Sequence, residues 1–184
     1  MTQIALSNTL ADDIRKEFNS LVHDFGPKAL AIAYHYVGNK AAAQDVAQEA
    51  FMKAHRALNQ FRGDSALSTW FFTILVREAK RYRKRQKRKQ QILDLFRFSK
   101  PDDDETNLQE IDSIERNEIQ KALANAIMHL SPNQRDVIIL IYMQDLTVAE
   151  TATILGKASG TIKSHMHRAL EKLREELQDM EEIL

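Results

Sequence analysis

The 184-residue chain carries 26 Lys/Arg against 26 Asp/Glu, for a formal charge of zero, and 43% of its residues are hydrophobic, enough for one large or two small cores. Five Gly and three Pro argue against a turn-rich β-architecture, and the absence of Cys excludes disulfides, thiolate zinc sites and thiol sensors. No apolar run approaches the roughly 20 residues that span a bilayer, and the N-terminus lacks signal-peptide order, so a cytoplasmic chain without membrane insertion is expected.

The elements read as all-α. Thr9 to Asp12 is the expected start of a first helix, and Gly26-Pro27 its end. A second helix is expected over 28–37. Gly38-Asn39 is a turn, with Asn39 placed to cap a third helix over 40–60. The third helix shows Val46, Ala47, Ala50, Phe51, Ala54 and Leu58 at helical spacing. Arg62-Gly63-Asp64-Ser65 breaks the pattern, and a fourth helix runs from about Ser68 into a basic block. Residues 77–89 hold nine Lys/Arg and one Glu.

From about 90 the periodicity dissolves. An apolar patch (Ile92, Leu93, Leu95, Phe96, Phe98) precedes Lys100-Pro101 and an acidic run. Residues 102–118 hold eight acids and one Arg. Proline plus like charge marks a solvated linker. The expected organisation is two small helical domains, 1–90 and 114–184, joined by a flexible linker over 91–113.

The second domain opens with a helix over 114–129. Ser131-Pro132-Asn133-Gln134 reads as a capping box with Pro at the first helical position. The next helix carries Val137, Ile138, Leu140 and Ile141. Thr147-Val148-Ala149-Glu150 is a second capping box, opening a short helix that Gly156 can end in a left-handed conformation. A longer helix then runs to about Asp179, with Ile162, Met166, Ala169, Leu170, Leu173 and Leu177 as its apolar stripe. A short helix, a tight turn and a longer helix with a polar, basic outer face form a helix-turn-helix.

Two regions bear on nucleic acid. Arg77, Lys80, Arg81, Lys84 and Arg88 share one helical face; five phosphate contacts imply a salt slope of about −4 to −5. Just before them, Trp70, Phe71 and Phe72 cannot all point one way. At least one belongs to a core, and Trp70 suits either packing or base stacking. The six His residues show no metal-ligand spacing, and no phosphate-binding loop or nucleophile–base pair is present, so neither a metal, a cofactor nor catalysis is expected.

The two halves in this order resemble a bacterial group 4, extracytoplasmic-function (ECF) RNA polymerase sigma factor of the sigma-70 family. Asp45 to Ala54 resembles that family's core-binding helix, Phe61-Arg62-Gly63-Asp64-Ser65 with Thr69-Trp70 its −10-reading segment, and Leu146 to Ser164 its −35-reading helix-turn-helix. The resemblance implies a sigma-2 domain and a sigma-4 domain that recruit core polymerase to a promoter. It implies core contacts from Asp45, Gln48, Glu49, Phe51, Met52 and Lys53, directed at the clamp helices of the largest subunit, with the flap as a further contact. It implies −10 contacts from Phe61, Arg62, Gly63, Asp64, Ser65, Ser68, Thr69, Trp70, Arg77, Lys80, Arg81 and Lys84, with a base flipped out of the stack. It implies −35 contacts from Thr147, Ser159, Gly160, Thr161, Lys163, Ser164, His165, His167 and Arg168. The linker would thread the polymerase channels.

Three positions depart from the family pattern. Ala42-Ala43-Gln44-Asp45 holds one acid where many members carry several, which implies low core affinity or an activating input such as phosphorylation by a protein kinase. No Ser or Thr lies between 40 and 60. Replacing Ala42 by Asp and Gln44 by Glu is expected to restore affinity. Arg77 stands where Asn is frequent, favouring phosphate over amide-type recognition. His165 stands where Arg is frequent, which implies that a different base is read there. An anti-sigma factor is a further candidate partner, for which apolar surface on 40–60 and around 137–141 is the expected seat. The alternatives are a stand-alone helix-turn-helix regulator, which leaves 40–60 and the aromatic turn unexplained, and an RNA-processing enzyme or adaptor using the basic block.

Overall fold

The computed structural model describes residues 2–96 and 118–181. The chain divides into two compact units, Met1–Gln109 and Glu110–Leu184. All regular structure among the described residues is helical. Unit 1 holds α1 (Thr2–Val37), α2 (Lys40–Ala57) followed by a 3-10 turn (Leu58–Gln60), and α3 (Leu67–Phe96). Unit 2 holds α4 (Glu118–His129), α5 (Pro132–Ile138) continuing as a wide π turn (Ile139–Met143), α6 (Val148–Leu155) and α7 (Ser159–Glu181).

The first correction concerns Gly26-Pro27. The helix does not stop there, and it starts at Thr2 rather than near Thr9. Proline removes one backbone donor and crowds the preceding turn. Here Phe18, Ala29, Ile32, Ala33 and Tyr36 are buried on one face that continues across the proline. Packing of that unbroken stripe outweighs one missing hydrogen bond, so the two expected helices are one.

The three helices of unit 1 meet in an aromatic core. Phe51 of α2 stacks on Phe71 of α3, with centroids 4.3 Å apart and planes 18° from parallel. Phe25 of α1 meets Phe72 edge-on at 5.7 Å. Both Phe71 and Phe72 are fully buried; each contributes roughly 1.5–3 kcal/mol by burial. Asn39 caps α2 as its side-chain chemistry dictates, its Oδ1 accepting the Ala42 N–H at 3.0 Å. The second correction concerns the end of α3. Among its described side chains Ala79 is the last that is buried, yet the helix continues to Phe96, past the expected boundary at 90. Straight-chain Lys, Arg, Gln and Leu are good helix formers, which carries it beyond its packing partners. Ile92 and Leu93 are exposed there, while Phe98 and the acidic segment before residue 118 lie outside the described residues.

In unit 2 the caps set the helix ends. Gln134 Oε1 accepts the Ser131 N–H at 3.0 Å. Thr147 and Glu150 bond reciprocally, Glu150 N–H to Thr147 Oγ1 at 3.2 Å and Thr147 N–H to Glu150 Oε2 at 2.8 Å. Gly156 ends α6 at φ 62°, and the Lys157 N–H returns to the Ala152 carbonyl at 3.0 Å, closing the turn before α7. One apolar cluster joins α4, α5 and α7 through Ala126, Leu130, Ile138, Ala169 and Leu173. A second joins α5, α6 and α7 through Val137, Ala152 and Ile162. The expected stripe of α7 is the face buried in these two clusters.

Arg135 locks α4 to α5. Its guanidinium donates to the carbonyls of Ile127 at 3.1 Å, Leu130 at 3.2 Å and Met128, at the end of α4 where carbonyls lack helical donors. Lys172 of α7 adds a bond to the His129 carbonyl at 2.6 Å.

Candidate polymerase and nucleic-acid interfaces

α2 presents two faces. Val46, Ala47, Ala50 and Ala54 point into the core, while Ala41, Asp45, Gln48 and Met52 form an exposed stripe at three- and four-residue spacing. Asp45, Gln48 and Met52 are thus accessible for docking. Lys53 is otherwise engaged: its Nζ lies 2.6 Å from Glu78 Oε2 on α3 and 3.3 Å from Glu49 Oε1. Phe51 is half-buried against Phe71. Phe51 and Lys53 therefore hold α2 in place, and Phe51 also lines an open apolar cleft of about 300 Å³ with Phe18, Met52, His55 and Arg56.

The segment between α2 and α3 is irregular for a reason visible in the sequence. Gly63 adopts φ 77°, a left-handed conformation that costs glycine little. Arg62 and Asp64 are exposed, and neither takes part in a hydrogen bond or ion pair among the described residues. Trp70 is half-exposed, its ring 5.4 Å from that of Phe61. It packs at the edge of the turn against Phe61 and remains partly exposed. Ser65 and Ser68 are half-buried beside it. Thr69 departs from expectation. It is 2% exposed, because it shares a face with the buried Phe72 and Val76, and its side chain is closed to DNA.

Along α3, Arg77, Arg81 and Lys84 are exposed. Lys80 is drawn inward, its ammonium 5.7 Å from the Tyr36 ring centroid, a cation–π contact invisible to helical periodicity alone. Arg81 lies 3.5 Å from Glu78, which is thus shared between α2 and α3.

In unit 2, the start of α7 is open. Ser159, Gly160, Thr161, Lys163, Ser164, His167 and Arg168 are exposed, and His165 is half-buried. Ser164 Oγ donates to the Gly160 carbonyl at 3.0 Å, and His167 Nδ1 lies 3.2 Å from Glu171. Thr147 is exposed, but its hydroxyl is spent on the capping box, donating to Glu150 at 2.7 Å. The expected apolar seat around 137–141 is not at the surface. Val137, Ile138, Ile139 and Leu140 are buried because short α5 is packed on both sides. The exposed apolar residues there are Tyr142 and Met143, at the end of the π turn. On α2, likewise, the large apolar residue left exposed is Met52.

Two family models match these units in order: Sigma-70 region 2 over residues 21–89, and Sigma-70 region 4 over residues 120–173. The RNA polymerase sigma-H factor of Pseudomonas aeruginosa is 32% identical over 181 residues, covering 90% of this chain and 89% of that one. The chain belongs to the sigma-70 family, as an ECF sigma factor. The sigma-E factor of Escherichia coli K12 is 33% identical over 171 residues, with 90% and 89% covered. Among solved structures, the Bartonella quintana sigma factor RpoE, in complex with the anti-sigma factor NepR, is 31% identical, with a TM-score of 0.63 over 89% of this chain and 98% of that one. CnrH in complex with the cytosolic domain of CnrY shares the fold, with a TM-score of 0.62, 24% identity and 95% and 96% covered. As a sigma factor the chain binds core RNA polymerase and directs initiation at promoter DNA, and sigma factors of this kind are initiation factors rather than enzymes. No described helix is long and apolar enough to cross a membrane.

Proposed function

We propose that the Asp45, Gln48 and Met52 stripe of α2, with Glu49 beside it, docks on the clamp helices of core polymerase, that the 61–70 turn captures a flipped −10 base against Trp70, and that the start of α7 reads the −35 duplex. The flap would meet unit 2 at Tyr142 and Met143. The observation carrying this reading is the 61–66 turn: Arg62 and Asp64 keep their hydrogen-bonding groups unspent beside a half-open tryptophan. That is what a base leaving the stack requires, since its hydrogen-bonding edge needs partners and its ring a surface. In this reading the protein works in the cytoplasm and contributes no catalytic chemistry of its own.

Control by an anti-sigma factor fits the likeness to a sigma factor solved in such a complex, and the cleft beside Met52 offers it an apolar seat. The single acid at Asp45 implies weak docking on core until an input arrives, whether release of the anti-sigma factor or phosphorylation outside 40–60.

The restored-acid test takes a different form from that expected. Ala42 is buried, so an Asp there would bury a charge, whereas Ala41 and Gln44 are exposed. The double variant Ala41→Asp, Gln44→Glu is expected to tighten core binding several-fold, with the gain shrinking as salt rises. An affinity unchanged at low salt would refute the electrostatic account. The direct test of the function is pull-down of core polymerase followed by transcription from randomised promoters. Core-dependent transcripts sharing two promoter elements are expected; duplex binding without core binding would overturn the reading.

A further inference from the structure

We propose that the distal half of α3 lies in the major groove of duplex DNA adjoining the −10 element and grips phosphates of both strands at once. The proposal rests on the reading above, in which α3 faces promoter DNA.

Beyond Ala79 no described residue of α3 is buried, and every residue from Arg83 to Leu93 is exposed. Six cations stand on this stretch: Arg83, Lys84, Arg85, Lys87, Arg88 and Lys89. Lys80 and Arg81, nearer the bundle, are occupied by Tyr36 and Glu78. Among the described residues, none of the six has a carboxylate or ring partner. Six like charges within about 9 Å of helix rise repel one another, and a polyanion relieves that repulsion.

Their placement says which polyanion. At 3.6 residues per turn the six do not share one face. Lys84 and Arg88 continue the Arg77 face. Arg83 and Lys87 form one flank and Arg85 and Lys89 the other, for an arc of roughly 240°. The remaining strip is uncharged: Tyr82, Gln86 and Gln90, with Gln86 Nε2 donating to the Tyr82 hydroxyl at 2.7 Å. A helix resting along one strand, or against an acidic peptide, uses one face and leaves the opposite flank unneutralised. A helix lodged in the major groove uses a centre and two flanks. The groove is about 12 Å wide and a helix with side chains about 10–12 Å across, so the flanks reach the phosphates on either wall. The neutral strip continues the core-facing line of Leu75 and Ala79 and faces away from the groove.

The experiment uses the full chain. Wild type, Arg83→Gln with Lys87→Gln, and Arg85→Gln with Lys89→Gln are titrated with a mixed-sequence 30-bp duplex and with its single strand across a salt series. All four residues are exposed, so matched thermal melts establish that the variants fold. Each flank pair is expected to lower the duplex salt slope by about 1.8, two phosphates' worth, with a smaller change on the single strand. A change from one flank only, or from neither, overturns the proposal.

Because the chain has no cysteine, Arg83→Cys and Arg85→Cys each create a single attachment point for a hydroxyl-radical-generating chelate. In the holoenzyme on a promoter, the two probes are expected to cut opposite strands across one major groove. Cuts on the same strand, or none while the wild-type holoenzyme transcribes, overturn it. A wild-type holoenzyme that fails to transcribe would instead refute the underlying reading, and the flank comparison on free duplex would still decide the groove geometry.

Discussion

Both units place a left-handed glycine just before the helix proposed to face DNA, and the two turns are built in opposite ways. The Gly156 turn is closed, with its own N–H bonded to the Thr153 carbonyl at 3.2 Å and the next N–H returning to Ala152. The Gly63 turn is open, lying between Phe61 N–H to Leu58 at 3.0 Å and Trp70 N–H to Ala66 at 3.1 Å, with exposed polar side chains between. The difference matches the two proposed tasks. Reading a duplex requires a helix held at a fixed angle, so backbone groups are spent on the turn. Receiving a flipped base requires unspent groups, so the turn keeps them.

The contrast fails if unit 2 does not depend on its internal bonds. Arg135→Ala removes three bonds to the carbonyls ending α4 and is expected to destabilise unit 2 by about 2–3 kcal/mol, with unit 1 unchanged. Two separate thermal transitions with only one displaced would show it; a single shared shift would not. The glycines give the next effect. Neither has an atom within 4 Å of where a Cβ would stand, so alanine costs backbone strain alone, about 1–2 kcal/mol at each. Gly156→Ala should lower the melting temperature of unit 2 and weaken −35 binding. Gly63→Ala should slow promoter melting while core binding holds. Equal loss of −35 affinity from both would end the comparison.

Thr151 sharpens it from the other side. Its hydroxyl is fully buried in α6 without a hydrogen-bond partner among the described residues. Thr151→Val keeps the shape and removes the orphaned group, for an expected gain of about 1 kcal/mol in a denaturant melt of unit 2. The smallest effect belongs to unit 1. Burial holds the His35 pKa below its usual 6.5. The folded protein therefore resists a proton that the unfolded chain accepts. The contribution of His35 is full above pH 6.5 and is lost as pH falls from there through the folded-state pKa. His35→Gln should flatten the acid side of the stability profile of unit 1 and leave unit 2 unaffected.

What the sequence made legible was local chemistry. Asn39, the Thr147–Glu150 pair and Gly156 act through neighbours a few residues away, and each holds the place its side chain suggests. The stripes of α2 and α7 were legible for the same reason, since helical spacing assigns faces. Whatever depended on distant partners was not. Pro27 read as a stop because the stripe that spans it gains its energy from α2 and α3. Val137 to Leu140 read as accessible because α5 alone does not reveal that it is packed on two sides. Thr69 read as a contact until the buried Phe72 and Val76 fixed its direction. Lys53 and Lys80 read as surface cations, whereas their partners, Glu78 and Tyr36, lie on other helices. The long run of Lys and Arg marked α3 as basic, but only its exposure beyond Ala79 separates its flanks.

Glu78 has a consequence of a different kind. Its carboxylate meets Lys53 of α2, the helix proposed to dock on polymerase, and Arg81 of α3, the helix proposed to face DNA. Any ligand that draws either cation away changes what the carboxylate offers the other. Thermodynamic reciprocity then makes each ligand report on the other's presence: the factor by which core tightens DNA binding through this group equals the factor by which DNA tightens core binding. On the proposed roles of the two helices, a single acid between α2 and α3 thus couples one surface to the other.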